Sequence, residues 1–252
     1  MTKPRSRIAM IVPVPVPEAA LSSFAAQIPE SLAGQTDIEF SCAERGGATL
    51  DSYYEGALAD FYCLKAGIEA AQRGCDAVCI NSMSDSGVTA LRSRLNIPVI
   101  GTAQSTYLAA CLLGKRFSIL SMWHRWSWLY EKVIAEQGLG HRLASIRSID
   151  VPPDTEDLLQ GKEDFVFPLL ESAARIAVEE DGADVLIIGS TTMHQSHAFL
   201  EKTIDVPVLN PGLVAFKTCE LLLALDLSHS KASFIQPQAH SDNNLASGAD
   251  LA

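Results

Sequence analysis

Two serines occupy matched places in this sequence, each at the end of a short apolar run. Ser82 follows Asp76-Ala77-Val78-Cys79-Ile80-Asn81, and Ser190 follows Asp184-Val185-Leu186-Ile187-Ile188-Gly189. An aspartate opens each run, and each is followed by a helix-length gap and an Ile/Val-Pro-Val step, Ile97-Pro98-Val99 and Val206-Pro207-Val208. Four branched aliphatic residues in a row are the size of a strand buried on both faces. Glycine and small hydroxyl residues after such a run suit a loop at the strand's carboxyl end, where open α/β sheets bind ligands. The pattern predicts two similar halves, each presenting one hydroxyl.

A serine hydroxyl is a poor nucleophile and a poor base without help. His194 lies four residues beyond Ser190 and is the candidate helper; a Ser190–His194 pair would suit a hydrolase or lyase. The alternative place for His194 is a helix start at the surface. Thr191, Thr192 and Ser84 are donors for a carboxylate or imide oxygen, or else caps of the helices that follow. Met83 shares the Ser82 loop. Asp85 is a general base or an N-cap, and capping is the commoner role at such a position. Ser121 and Trp123, with His124, follow another strand-like run, Phe117 to Leu120, and so can line the same cleft. Trp123, Trp126 and Trp128 either pack on a flat substrate or belong to the core. Tyr53 and Tyr54 offer further hydroxyls, and His197 reads as exposed.

The elements that must position these residues alternate. Strands are expected at Arg7 to Val12, Asp37 to Cys42, Ala77 to Ile80, Pro98 to Gly101, Phe117 to Leu120, Ser145 to Ile149, Val185 to Ile188 and Val206 to Leu209. Helical spacing fills the gaps: Glu18 to Ile28, Leu50 to Arg73 (in one piece or two), Val88 to Arg94, Thr102 to Leu113, Trp126 to Gln137, Phe165 to Glu180, Ala198 to Thr203 and Leu213 to Leu225. Pro13-Val14-Pro15-Val16-Pro17 stops the first strand, and Pro152 to Glu156 is a turn into a helix. Alternating strands and helices call for an α/β layer fold with parallel sheets. The expected architecture is two pseudo-symmetric α/β lobes with an active-site cleft between them. The first lobe is formed by 1–102 and 210–235, the second by 103–209, and 236–252 is a loose tail by composition.

The chain has 252 residues, 48% of them hydrophobic and 19% charged, with a formal net charge of −11. The acidic balance argues against nucleic acid or an anionic membrane as partner and leaves a small molecule. No apolar run is long enough to span a bilayer, and the basic N-terminus lacks a signal-peptide core. The six cysteines lie mostly in apolar surroundings and read as reduced core residues of a cytoplasmic protein. Cys75 and Cys79 are not a convincing metal pair.

Several stretches together resemble the hydantoin racemase branch of the aspartate/glutamate racemase superfamily. They are Arg45-Gly46-Gly47-Ala48-Thr49-Leu50-Asp51-Ser52 with Glu55-Gly56-Ala57-Leu58-Ala59, the Asp76 run with Asp85-Ser86-Gly87, Gly114-Lys115-Arg116-Phe117-Ser118-Ile119-Leu120, and Asp181-Gly182-Ala183-Asp184-Val185. The resemblance runs from about Arg7 to Phe234. It implies two lobes around a small site, with no cofactor and no metal. It also implies two facing cysteines, one removing and one returning a proton beside a carbonyl. By the resemblance those cysteines fall at Ser82 and Ser190, so serine stands where the family carries a thiol. The substrate-orienting Asn-Pro-Asn segment falls at Val12-Pro13-Val14. A serine pair keeps hydrogen-bond donors but loses the tunable thiol acidity. Three readings follow: isomerase or racemase chemistry on a small carboxylate, cyclic ureide or imide; a serine hydrolase or lyase aided by His194; or a non-catalytic binder of a similar molecule. A homo-oligomer is implied as well.

Overall fold

The computed structural model describes residues 5–34, 36–154 and 159–247. Thr155 and Glu156, part of the expected turn, lie outside the described residues. The fold consists of two four-stranded parallel sheets with helices packed on them. In the first sheet β1 (Ser6–Val12) lies between β2 (Thr36–Cys42) and β3 (Ala77–Ile80), with β4 (Val99–Gly101) outside β3. In the second sheet β5 (Phe117–Ser121) lies between β6 (Leu143–Ser148) and β7 (Val185–Ile188), with β8 (Val208–Leu209) outside β7. The two sheets share one strand order, the physical form of the repeat read from the sequence. β3 and β7 hold equivalent positions and are buried along their whole lengths.

The aspartates that open these two runs do similar work. Asp76 accepts the backbone N–H of Arg7 at 2.8 Å, pinning the start of β1 beside β3. Asp184 accepts the N–H groups of Lys115 and Arg116, each at 2.9 Å, pinning the start of β5 beside β7. Parallel strands cannot be joined by tight turns, so each pair needs a crossover helix. These are α1 (Glu18–Ala25), with α2 (Glu30–Ala33) after it, α3 (Tyr53–Gln72), α4 (Val88–Arg94), α5 (Thr102–Leu113), α6 (Ser127–Glu136), α7 (Glu163–Glu179) and α8 (His197–Thr203). The helix expected over Leu50 to Arg73 is the single helix α3, and Leu50 belongs to the loop before it. Ser52 caps it by accepting the N–H of Glu55 at 3.3 Å.

The helix α5 links the two sheets, and Tyr107 on it stacks on Phe117 of β5 at 5.3 Å. The helix α9 (Pro211–Ala224) returns to the first sheet, where Ala215, Phe216 and Cys219 pack with Ile8, Met10, Cys79 and Ile100. Its start is capped by Asn210, which accepts the N–H of Leu213. The cysteines are free, and Cys63, Cys75, Cys79 and Cys219 are buried. The expected loose tail is corrected over residues 236–247: Arg94 donates to Asp242, Gln236 donates to Asn96 at 2.7 Å, and Leu245 packs on the first lobe's core. A short helix, α10 (Asn243–Ser247), forms there. Composition missed this docking because its partners lie on α4 and just beyond, far away in sequence. No helix among the described residues is long and apolar enough to cross a membrane.

Candidate active site

Ser82 leaves the carboxyl end of β3 and Ser190 leaves that of β7, and both line one cavity of about 50 Å³. At roughly 10–15 Å³ per water, that space suits about four waters, or a small ring once side chains adjust. The first lobe contributes Val12, Pro13 and Val14 after β1, Phe24 of α1, and Asn81, Ser82 and Met83. The second contributes Trp126, Leu129 and Tyr130, then Gly189 to Thr192. The loop Ala48-Thr49-Leu50 completes the wall.

Each serine makes the same local turn. Ser82 Oγ accepts the N–H of Ser84 at 3.3 Å and the hydroxyl of Ser84 at 3.1 Å. Ser190 Oγ accepts the N–H of Thr192 at 3.2 Å and lies 2.9 Å from Thr192 Oγ1. Gly189 lets β7 approach β5 this closely: a Cβ there would sit 2.7 Å from the Leu120 carbonyl and 2.8 Å from the Tyr130 hydroxyl. The Tyr130 hydroxyl instead donates to the Gly189 carbonyl at 2.8 Å. Burial pushes the phenol's pKa well up, so it stays protonated near neutral pH.

Two hydrogen bonds run from the turn after Ser190 to the first lobe beside the cavity. Thr191 Oγ1 donates to the Asn81 carbonyl at 3.1 Å. His194 Nε2 lies 3.0 Å from the Ser23 carbonyl on α1, so that nitrogen carries the ring proton and donates it. This corrects the expected Ser190–His194 pair: the 3-10 turn Thr191–Ser196 carries the imidazole toward α1, and His194 is not in the cavity lining. Burial also lowers the histidine's pKa, keeping the ring neutral.

Four expected substrate-contacting residues lie outside the lining. Asp85 turns away and accepts the N–H groups of Ala103 and Gln104 at 2.8 and 2.9 Å, capping α5. The residue adopts a left-handed φ of 49° to do so. Ser121 is fully buried; it donates to the Trp123 carbonyl at 2.9 Å and meets the Tyr130 hydroxyl at 3.1 Å, so it holds Tyr130. Trp123 is half-buried under the Arg125 guanidinium, and it is Trp126 that reaches the cavity. Ser84 stands behind Ser82 rather than beside it in the lining. Pro13, Val14, Met83, Thr191 and Thr192 do line the cavity.

The sequence reading missed the wall made by Thr49 and Leu50, and the signal for it was present. Ser52-x-x-Glu55 is a capping-box spacing. The Glu55 carboxylate reaches back to the N–H groups of Ala48, Thr49 and Asp51 at 3.2, 3.0 and 3.3 Å, which folds the loop over the cleft. Trp126 Nε1 then donates to the Thr49 carbonyl at 2.7 Å, tying this loop to the second lobe. Among the described residues no cluster of histidine, cysteine and carboxylate side chains is arranged to hold a metal.

A model of the Asp/Glu/hydantoin racemase family matches residues 18–219. A hydantoin racemase from Paenarthrobacter aurescens is 31% identical over 196 residues, 76% of this chain and 80% of that protein. An allantoin racemase structure from Klebsiella pneumoniae aligns with a TM-score of 0.85 and 25% identity, over 93% of this chain and 95% of that one. Another, from Pseudomonas fluorescens, gives 0.83 and 24%, over 93% and 98%. The family match spans most of the sequence and the likeness in fold nearly all of it, and on those grounds the chain belongs to the Asp/Glu/hydantoin racemase family of racemase and isomerase enzymes.

Proposed function

We propose that this family member is a cofactor-independent enzyme acting on a small, uncharged cyclic ureide or imide, at the carbon beside a ring carbonyl. Ser82 and Ser190 stand in the positions of the family's two thiols and donate hydrogen bonds to the carbonyl as it becomes an enolate. The observation that carries this reading is the state of the two hydroxyls. Each Oγ already accepts an N–H from two residues on; Ser82 Oγ also accepts the Ser84 hydroxyl, so its own proton is left for the cavity, and the Ser190 proton is left for it when Thr192 Oγ1 is the donor of their shared contact. Such donors stabilise developing negative charge on oxygen.

The rest of the lining narrows the substrate class. Among the described residues it holds no carboxylate, ammonium, guanidinium or imidazole. A carboxylate substrate would meet no cation there, whereas a ureide or imide needs only donors and acceptors of amide type. Asn81 lines the cavity, and neither polar atom of its buried carboxamide has a hydrogen-bond partner. Buried amides without partners cost about 1–3 kcal/mol, and a ligand's amide edge would recover it once the carboxamide, now closed off beside Gly212, turns into the cavity. Relatives named for hydantoin and allantoin, both cyclic ureides, support the same class.

Among the described residues no side chain of ordinary basicity lines the cavity, so hydroxide takes the proton. The C–H bond breaks, its electron pair moves onto the carbonyl oxygen, and hydroxide becomes water. Reprotonation from the other face gives the mirror-image ring. The test is deuterium incorporation at C5 of a 5-alkylhydantoin in D2O, followed by proton NMR. Exchange should exceed the buffer blank, rise about tenfold per pH unit between roughly pH 6 and 8, and fall to the blank in Ser82→Ala/Ser190→Ala. Exchange no faster than the blank leaves a binder and overturns the enzymatic reading.

A homo-oligomer belongs to the same proposal. Leu108 and Leu112 of α5 and Leu221 of α9 are exposed on two helices that pack together. Light scattering at micromolar concentration should give a multiple of the chain mass, and a monomer mass would refute it.

A further inference from the structure

The hydroxyl of Ser82 does not stand alone. Behind it, Ser84 Oγ donates to Ser82 Oγ at 3.1 Å, and Ser86 Oγ lies 2.8 Å from Ser84 Oγ. Ser84 and Ser86 are 2% and 1% exposed, yet both line a second cavity of about 160 Å³ that shares the Leu129 wall with the first. Asp60, Lys132, Tyr53 and Trp128 line that cavity too. The two cavities are therefore joined by three hydroxyls in file. Among the described residues nothing similar stands behind Ser190, whose hydroxyl partner Thr192 lines the same cavity as Ser190 itself.

We infer that Ser84 and Ser86 form a proton relay that connects Ser82 to water in the second cavity, making the Ser82 side the face at which the α-proton of one enantiomer is removed and, in the reverse reaction, restored. This rests on the enolate chemistry proposed above, with hydroxide acting through Ser82 instead of directly and Ser190 left as the donor to the enolate oxygen. In the forward direction hydroxide in the second cavity takes the proton of Ser86. Ser86 takes that of Ser84, Ser84 that of Ser82, and Ser82 takes the proton from the substrate carbon. One C–H bond breaks, one water forms, and each serine ends with one proton as it began. The negative charge passes from hydroxide to the enolate oxygen. The resting direction, with Ser84 donating to Ser82, is the one that delivers a proton to the carbanion. The Lys132 ammonium favours an anion at the outer end, while the Asp60 carboxylate is occupied at 2.9 Å by the N–H of Gly87.

This arrangement makes Ser84 and Ser86 positioning residues with a kinetic signature. Three solvent-exchangeable hydroxyl protons in flight give a curved dependence of exchange rate on the deuterium fraction of the solvent, and direct attack by hydroxide gives a straight one. The experiment compares native protein, Ser84→Ala, Ser86→Ala and Ser86→Thr on the 5-alkylhydantoin. Ser86→Ala leaves every contact of Ser82 in place, so a loss there is not a local collapse of the site. The relay predicts about a tenfold or larger loss of kcat in both alanine variants, KM unchanged, a straightened solvent-isotope plot, and recovery in Ser86→Thr. Native exchange with unaltered rate and unaltered isotope plot in the alanine variants overturns the relay and leaves the proposed function standing. No exchange in the native protein overturns both.

Discussion

Exchanging Ser82 and Ser190 together for cysteine is expected to speed α-proton exchange on a 5-alkylhydantoin by on the order of 10²-fold at pH 7.5. A thiol of pKa about 8.5 is about one-tenth thiolate at that pH, whereas a serine hydroxyl is essentially undissociated. Both positions line a cavity rather than the packed core, so the larger sulfur is accommodated without overpacking. The pH profile separates the two proteins. Native exchange climbs with hydroxide throughout, and exchange by the double variant flattens above about pH 8.5, where the thiol is already ionised. Each single cysteine variant should exchange the proton with retention, since the same thiol removes and returns it, and only the pair should invert the carbon. Polarimetry beside NMR reads both. A double variant no faster than the native protein would mean that the ring does not lie between these positions, and the proposed function would fall.

The second large effect is a stability change with pH centred on Asp85. Burial raises its pKa from 3.8 to about 6, against the lowering effect of the N–H groups of Gln104 and Ala103 and the charges of Arg92 and Lys132. The native state therefore holds this proton more tightly than the unfolded chain. Its stabilising contribution is complete below pH 3.8 and is lost as pH rises through about 6. The span corresponds to up to about 3 kcal/mol, reduced by whatever solvent reaches the half-buried carboxyl. Other carboxylates act the opposite way: the Arg147 guanidinium holds Asp181 down at about 2. Asp85→Asn isolates the effect. In urea melts the native protein's advantage over the variant should be larger at pH 4 than at pH 7.5. An advantage that is constant or grows with pH would show that Asp85 is ionised in the folded state across the whole range.

These two expectations differ in how far the sequence foretold them. Ser82 and Ser190 were legible because a strand's end is marked locally, by a buried aliphatic run giving way to glycine and hydroxyls. The matched aspartates, Asp76 and Asp184, were equally local signals, and they fix the starts of two strands. Asp85 was read both as a base and as a cap, and the geometry makes it a cap of α5, eighteen residues on. His194 was placed beside Ser190 by spacing alone. Spacing along a chain does not say which way a 3-10 turn points its side chains, and here the ring crosses to Ser23. Trp123 and Trp126 differ by three positions, and only the path of the turn between them selects the one that reaches the cavity.

By itself the sequence determined the alternating strands and helices, the twofold repeat, the family and the pair of serines, because periodicity, strand-end chemistry and local caps are properties of neighbours in the chain. The tertiary structure alone decided that both serines wall one cavity and that Trp126 ties the Thr49 loop to the second lobe over it. It alone decided that His194 serves the contact between lobes, and that Ser82 is backed by a file of hydroxyls where Ser190 is not. The hydroxyl file depends on the path of a single loop; the other facts depend on how two separately formed sheets are set against each other, and that is fixed by packing between residues far apart in sequence.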